Sequence, residues 1–258
     1  MITSKDNETV KYISRLNKSA SYRRSCSQFT AEGVRLCCDG VRSGFTPLMF
    51  VFTSSAMEKY PEAYDELSSQ AERCFEVSRE IFQKISDTKS PQGFICVYNI
   101  LDKQSFPNRI DSGGNYLALE CVQDPSNMGT ILRTAEALGI EGVILSRDCC
   151  DVYSPKVVRG SMGAVYRVPF MTAEDLPETI KQLTESGVST YASTPRDAED
   201  ITSVRFSGGV MLIGNEGNGL TEAAINACSK RVRIPMRGRA ESLNAAAAAA
   251  VLMWEMFR

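Results

Sequence analysis

Apolar positions along the chain fall into two blocks with different rhythms. Between about 30 and 100, short apolar runs alternate with amphipathic stretches. EGVRLCCDGVRSG reads as a helix stopped by glycine, and PLMFVF as a buried strand. EAYDELSSQAE and REIFQKISD have helical spacing, while CFEVS and GFICVYNI read as strands. Such alternation predicts a small α/β layer domain over 1–100. The stretch 101–114, LDKQSFPNRIDSGG, is polar, holds one proline and two glycines, and reads as a linker.

From 115 to 258 the units are longer. NYLALECV, EGVILS, VYRVPF, STYAST, VMLIGN and RVRIPM read as strands. MGTILRTAEALG, AEDLPETIKQLTESG, LTEAAINACSK and LNAAAAAAVLMWEMF read as helices, and PKVVRGSMG as a polar turn. The sum is a mostly parallel sheet with helices on both faces, whose ligands bind beyond the carboxyl ends of the strands. No apolar run approaches the roughly 18 residues that span a bilayer, and the first residues lack the apolar stretch of a signal peptide. The expected location is the cytoplasm, without membrane contact.

Composition narrows the chemistry. Apolar residues at 43% and charged residues at 23% match ordinary globular usage and argue against disorder. There is no histidine, which excludes Ser-His-Asp and Cys-His catalysis and every histidine-bearing metal site. Nine cysteines include no C-x-x-C pair, so no metal is expected and the thiols are expected to be reduced and mostly buried. A net charge of −2 is unlike a polyanion binder held by bulk charge. The first 24 residues nevertheless carry six cations (Lys5, Lys11, Arg15, Lys18, Arg23, Arg24) against Asp6 and Glu8. That stretch is either a local phosphate-contacting face or a solvated helix surface.

Three loops after strands carry unusual residues. In DPSNMGTILRTAEALGI, Ile131, Leu132, Ala135 and Leu138 form the buried stripe, and Arg133 lies off it. Side chains lean toward a helix N-terminus, so Arg133 is expected to pass over Gly129 toward Asn127, placing a guanidinium beside free helix N–H groups. In VMLIGNEGNGLTEAAI a strand runs into Gly214, Asn215, Glu216, Gly217, Asn218 and Gly219. The spacing G-x-x-G-x-G is neither a dinucleotide fingerprint nor a P-loop. In RIPMRGRAESLNAAAAAAV, a flexible segment follows Ile234 and Met236 and a helix begins around Ser242, Leu243 and Asn244, with Ser242 a candidate N-cap.

Together these loops resemble the SpoU (TrmH-like) class of SPOUT RNA methyltransferases. Asn127, Gly129 and Arg133 match the first family motif, Gly214 to Gly219 the second, and Ile234-Pro235-Met236 with Glu241 to Asn244 the third. SPKVVRGSMGAVYRVP at 154–169, FTAEGVRLCCDG and SDTKSPQGFICV also look like the family's, so the likeness covers nearly the whole chain. The resemblance implies an α/β protein in which a C-terminal SPOUT domain, 115–258, builds an α/β knot, a deep trefoil, on a parallel sheet. A smaller N-terminal ribosomal-protein-like α/β domain, 1–100, would bind RNA. The activity implied is S-adenosylmethionine-dependent methylation of a ribose 2′-hydroxyl, in ribosomal RNA, by a homodimer formed through the C-terminal domain.

The implied catalytic set is Asn127, Arg133, Glu216, Ser242 and Asn244. The implied cofactor pocket comprises Ser193, Thr194, Leu212, Gly214, Asn215, Glu216, Gly217, Ile234, Met236, Ser242, Leu243 and Asn244. Arg133 would hold the target nucleotide's phosphate, and Arg159 would reach RNA phosphate, from its own or the partner subunit. A sulfonium donor needs alignment more than acid–base help, which agrees with the missing histidines. The alternatives are transfer RNA as substrate, or a non-catalytic RNA-binding protein on the same fold. A nucleotide-dependent metabolic enzyme on a doubly wound sheet would require a fingerprint that this chain lacks.

Overall fold

Val10, Ile13 and Leu16 recur at helical spacing and bury one face of α1 (Glu8–Lys18), whose start is capped by the Asn7 side chain accepting from Thr9 N. The computed structural model describes residues 1–101 and 110–258, so residues 102–109 of the expected linker lie outside the described residues. After α1 come α2 (Ala20–Cys26), β1 (Gln28–Glu32), α3 (Val34–Arg42), β2 (Met49–Phe52), α4 (Ser54–Lys59), α5 (Pro61–Gln70), β3 (Cys74–Glu76), α6 (Arg79–Ile85) and β4 (Phe94–Asn99). The strands form a mixed sheet in the order β1-β4-β2-β3, with β4 antiparallel to both neighbours and β2 parallel to β3. One face buries Val51, Ile95 and Val97 against Ile13, Leu16 and Phe82.

The second part contains β5 (Asn115–Leu119), α7 (Pro125–Leu138), β6 (Gly142–Ser146), α8 (Pro155–Gly160), β7 (Phe170–Ala173), α9 (Leu176–Glu185), β8 (Thr190–Ser193), β9 (Glu199–Asp200), β10 (Gly209–Ile213), α10 (Glu222–Ala227), β11 (Lys230–Arg233) and α11 (Ala245–Met256). Its seven strands are all parallel, in the order β7-β6-β5-β10-β8-β11-β9. Strands buried on both faces read as continuous apolar runs, which is why NYLAL and GVMLI show no alternation. The alanine run of α11 lets that helix pack closely on α7.

The compact units cut across the expected boundary. Met1–Leu101 and Asp151–Arg167 form one unit, and Asp102–Cys150 with Val168–Arg258 the other. The segment 151–167, expected within the second domain, belongs to the first because it brings aromatics to that core. Tyr153 packs on Phe29 with ring centroids 4.8 Å apart, and Tyr166 lies edge-on to Tyr98 at 5.5 Å. Arg23 is buried and pairs with Asp151 at 2.6 Å, so one cation of the basic N-terminal stretch is a structural tie rather than a surface charge.

Four local expectations are overturned. PKVVRGSMG is not a turn: Pro155 opens α8, and Pro155, Val157 and Val158 are buried. VYRVPF is not one strand: Ala164–Tyr166 is a 3₁₀ turn after left-handed Gly163, and β7 begins only at Phe170. The strand expected over 231–236 ends at Arg233, just before Ile234 and Pro235. Three of the nine cysteines are buried, five are half-buried and Cys74 is exposed, so the thiols are less buried than expected; none of the nine is in a disulfide.

Candidate active site

The site forms where β5, β8, β10 and β11 end together. Asp124 caps α7 by accepting from Ser126 N, and Pro125 occupies the first turn, where no N–H is needed. Asn127, in the first turn of the helix, is buried. β10 runs into a loop that closes on itself: Asn215 N donates to Gly219 O and Gly219 N to Asn215 O, both at 3.0 Å. Inside it, Asn215 Oδ1 accepts from Gly217 N (2.9 Å) and Asn218 N (3.1 Å), and Asn215 Nδ2 donates to Cys121 O (2.8 Å). A Cβ on Gly214 would lie 2.2 Å from Gly219 C, so only glycine permits the closure.

Glu216 is presented by that loop toward the start of α7. Its Oε1 accepts from Asn127 Nδ2 at 3.0 Å and from Asp124 N at 3.1 Å, and its Oε2 from Gln123 N at 3.4 Å. Asn127 Oδ1 in turn accepts from Asn244 Nδ2 at 3.0 Å. Asn244 caps α11 through Oδ1, which accepts from Ala246 N and Ala247 N; the cap is Asn244 and not Ser242. One hydrogen-bonded chain, Asn244–Asn127–Glu216, therefore joins residues from three segments 89 and 117 positions apart. Partial burial pushes the Glu216 carboxyl up, but donation from Asn127 and from the backbone amides of Glu216, Asp124 and Gln123 outweighs it and holds the group below its ordinary value.

Beside this chain opens a cleft of about 600 Å³. Of the expected cofactor residues, Ser193, Thr194, Gly214, Asn215, Glu216, Gly217, Ile234, Met236, Ser242 and Leu243 line it. Leu212 does not: it is fully buried within β10, and its neighbour Ile213 reaches the cleft instead. Asn244 sits behind the wall, in the hydrogen-bonded chain. Met236 and Leu243 are 37% and 40% exposed, large apolar side chains left open on the cleft wall. No backbone hydrogen bond among the described residues engages 234–243, so that segment offers amides and carbonyls to a ligand. Such a cleft suits a small molecule with one flat, weakly polar part and one polar end.

Arg133 stands apart. It is exposed, does not line the cleft and makes no ion pair or hydrogen bond among the described residues. No hydrogen bond among the described residues joins it to Asn127, whose side-chain amide is engaged by Glu216 and Asn244. A residue that sequence reasoning missed is Glu120. It is buried and accepts from Thr221 N and Oγ1, each at 2.8 Å, pinning the far end of the 214–219 loop to β5. A lone carboxylate ending the otherwise apolar NYLALE was the available signal. Among the described residues no group of three or more Cys, Asp or Glu side chains gathers as a metal site, and no helix is long and apolar enough to cross a membrane.

Comparison with known proteins places this geometry. Residues 114–254 match the SpoU rRNA methylase family, and residues 7–96 match the MRM3-like substrate binding domain. An uncharacterized tRNA/rRNA methyltransferase of Synechocystis is 33% identical over 100% of this chain and 93% of its own length. The 23S rRNA (guanosine(2553)-2′-O)-methyltransferase of Bacillus subtilis is 28% identical over 71% of this chain and 72% of its own. The crystal structure of an AdoMet-bound rRNA methyltransferase from Sinorhizobium meliloti superposes with a TM-score of 0.87 at 28% identity, covering 99% of this chain and 96% of that one.

Proposed function

The chain belongs to the SpoU rRNA methylase family, and from that premise we propose that it methylates a ribose 2′-hydroxyl of ribosomal RNA, with S-adenosylmethionine as donor. The observation that carries the reading is the Asn244–Asn127–Glu216 chain at the edge of a cleft of about 600 Å³. That volume lies within the roughly 300–1,000 Å³ of small-molecule sites. The exposed apolar wall and unengaged backbone of 234–243 fit an adenosine, so the residues present fit the donor. When bound, S-adenosylmethionine supplies a methyl on sulfonium sulfur, already activated for in-line displacement.

The protein's own residues then have to bind, align and exclude water. Ile234, Met236 and Leu243 hold the adenosine part, and Ser193, Thr194 and the 214–217 backbone bound the rest. Glu216, fixed by Asn127, keeps the Gly-rich loop against the start of α7. Ser242 faces the cleft and Asn244 locks α11 to that frame. Arg133, exposed and unpaired among the described residues, takes the target nucleotide's phosphate and so aims its hydroxyl. A guanidinium stays protonated near neutral pH, so its part is positioning, and the phosphate it holds can receive the hydroxyl proton. Alignment of this kind supplies about 7–11 kcal/mol in well-oriented reactions.

A homodimer through the second unit and the deep trefoil knot belong to the same reading. In favour of the dimer, α11 leaves Val251, Trp254 and the following Phe257 exposed at 38%, 62% and 47%. The test pairs calorimetric titration with S-adenosylmethionine and transfer of labelled methyl to unmodified ribosomal and transfer RNA. Donor binding with label in ribosomal RNA supports the reading. Label in transfer RNA alone moves the substrate, and no donor binding with label in neither leaves a non-catalytic RNA binder.

A further inference from the structure

Three conspicuous sequence segments take no part in the methyl-transfer site: FTAEG, SDTKSPQG and VVRGSMG. Within the first unit they meet around one cavity of about 240 Å³. The turn from β1 into α3 supplies Gly33, Arg35 and Leu36, α3 itself supplies Asp39, the loop before β4 supplies Gln92, and the end of α8 with its following turn supplies Arg159 and Met162. The first two segments lie in the stretch matched by the substrate-binding domain, and the third in the stretch matched by the methylase.

The wall is built and not incidental. Glu32 is buried and accepts from Ser86 Oγ (2.5 Å), Thr88 Oγ1 (2.7 Å) and Asp87 N (2.9 Å), which fixes the loop. Asp87 then anchors Arg159 through Nη2 at 2.7 Å. The other terminal nitrogen, Arg159 Nη1, is buried without a hydrogen-bond partner, an unserved donor beside the cavity. Gln92 Oε1 accepts from Val34 N, which leaves its amide nitrogen as a second donor. Leu36 and Met162 give the space an apolar character, and a thioether packs well against a flat ring. Exposed Arg35 stands at the rim.

An apolar slot lined by two side-chain donors and the Asp39 carboxylate, with a cation at its rim, matches an unstacked nucleobase, whose edges both accept and donate, and its phosphate. The volume is below that of sites for whole small molecules, which limits the occupant to a single base. We infer that this cavity receives one unpaired base of the RNA substrate, with Arg159 and Gln92 donating to the acceptor edge of the base and Arg35 meeting its phosphate. The inference rests on the RNA methyltransferase reading and adds to it a docking point carried by the first unit alone.

The test uses the full chain and two labelled seven-nucleotide RNAs, one of random sequence and one abasic throughout, with binding followed by fluorescence anisotropy. The wild type is expected to prefer the base-bearing RNA at least tenfold. Arg159→Gln and Met162→Asp are each expected to erase most of that preference while donor affinity stays within twofold by calorimetry. Met162 has φ +51°, which aspartate tolerates, so the second variant keeps the turn where the first loosens the Asp87 anchor. Retention of the preference by folded Met162→Asp overturns the inference, as does equal binding of the abasic RNA by the wild type, which would mark a phosphate contact only. A wild type that methylates RNA yet shows no base preference refutes this pocket alone. A wild type that neither binds nor methylates RNA removes the underlying function as well.

Discussion

Asn127→Asp is close to isosteric and strikes the centre of the hydrogen-bonded chain. In the wild type, Asn127 Nδ2 donates to the Glu216 carboxylate at 3.0 Å, and Oδ1 accepts from Asn244. The substitution keeps the second bond and turns the first into two facing carboxylates. A hydrogen bond to a charged group contributes about 1.5–3 kcal/mol. Two like charges 4 Å apart add roughly 1 kcal/mol of repulsion in water and about 4 near a protein surface. Glu216 is solvent-exposed and keeps two backbone donors, so the lower ends apply and the cost is about 2–3 kcal/mol. Spent on misaligning the loop against α7, that corresponds to a methyl-transfer rate roughly 30–100-fold lower at about 1.4 kcal/mol per decade. Single-turnover transfer of labelled methyl measures it. Donor affinity should stay within about threefold, because Asn127 does not line the cleft. Adding Glu216→Gln restores donor facing acceptor and should recover about tenfold of the lost rate. A folded Asn127→Asp variant at wild-type rate, or a double variant worse than the single, would refute the reasoning.

Three further outcomes follow from the same geometry. Arg133→Ala should lower methylation at least about a hundredfold with donor binding nearly intact, since 1 Å of substrate misplacement alone costs that much; a rate assay beside calorimetry checks both. Gly214→Ala drives a Cβ to 2.2 Å from Gly219 C, so it should cost about 1–3 kcal/mol of stability in a thermal melt and weaken donor binding at least about tenfold. Glu216 titrates below its ordinary 4.5 in the folded protein, so its ionised form adds stability that is fully present above that pH and fades as pH falls through the depressed value. Chemical denaturation of wild type and Glu216→Gln should therefore differ by a constant amount from pH 5 upward, with the gap closing in acid.

Much of this was legible in the sequence because the information is local. Fully apolar pentads such as GVMLI could only be strands buried on both faces, and the glycines of GNEGNG announced a backbone needing close approach. The failures are tertiary. Tyr153 and Tyr166 carry 151–167 into the first unit, a choice made by partners more than 50 residues away in sequence. VYRVPF has strand composition, yet left-handed Gly163 and the burial of Tyr166 turn it into a 3₁₀ corner. Helical spacing correctly set Arg133 off the buried stripe but could not tell which partner Asn127 would choose, because Glu216 arrives from 89 residues further on. Leu212 fell one position off the cleft since successive residues of a strand face opposite ways.

The central claim, that this cleft serves transfer of a methyl to a ribose oxygen, is tested most directly by the chemical position of the label. Purified protein, labelled S-adenosylmethionine and unmodified ribosomal RNA are incubated, and the RNA is hydrolysed in alkali. A 2′-O-methyl blocks attack of that oxygen on the adjacent phosphate, so the account predicts label in an alkali-resistant dinucleotide, lost with Arg133→Ala. Label recovered in a methylated base within alkali-released mononucleotides would contradict it.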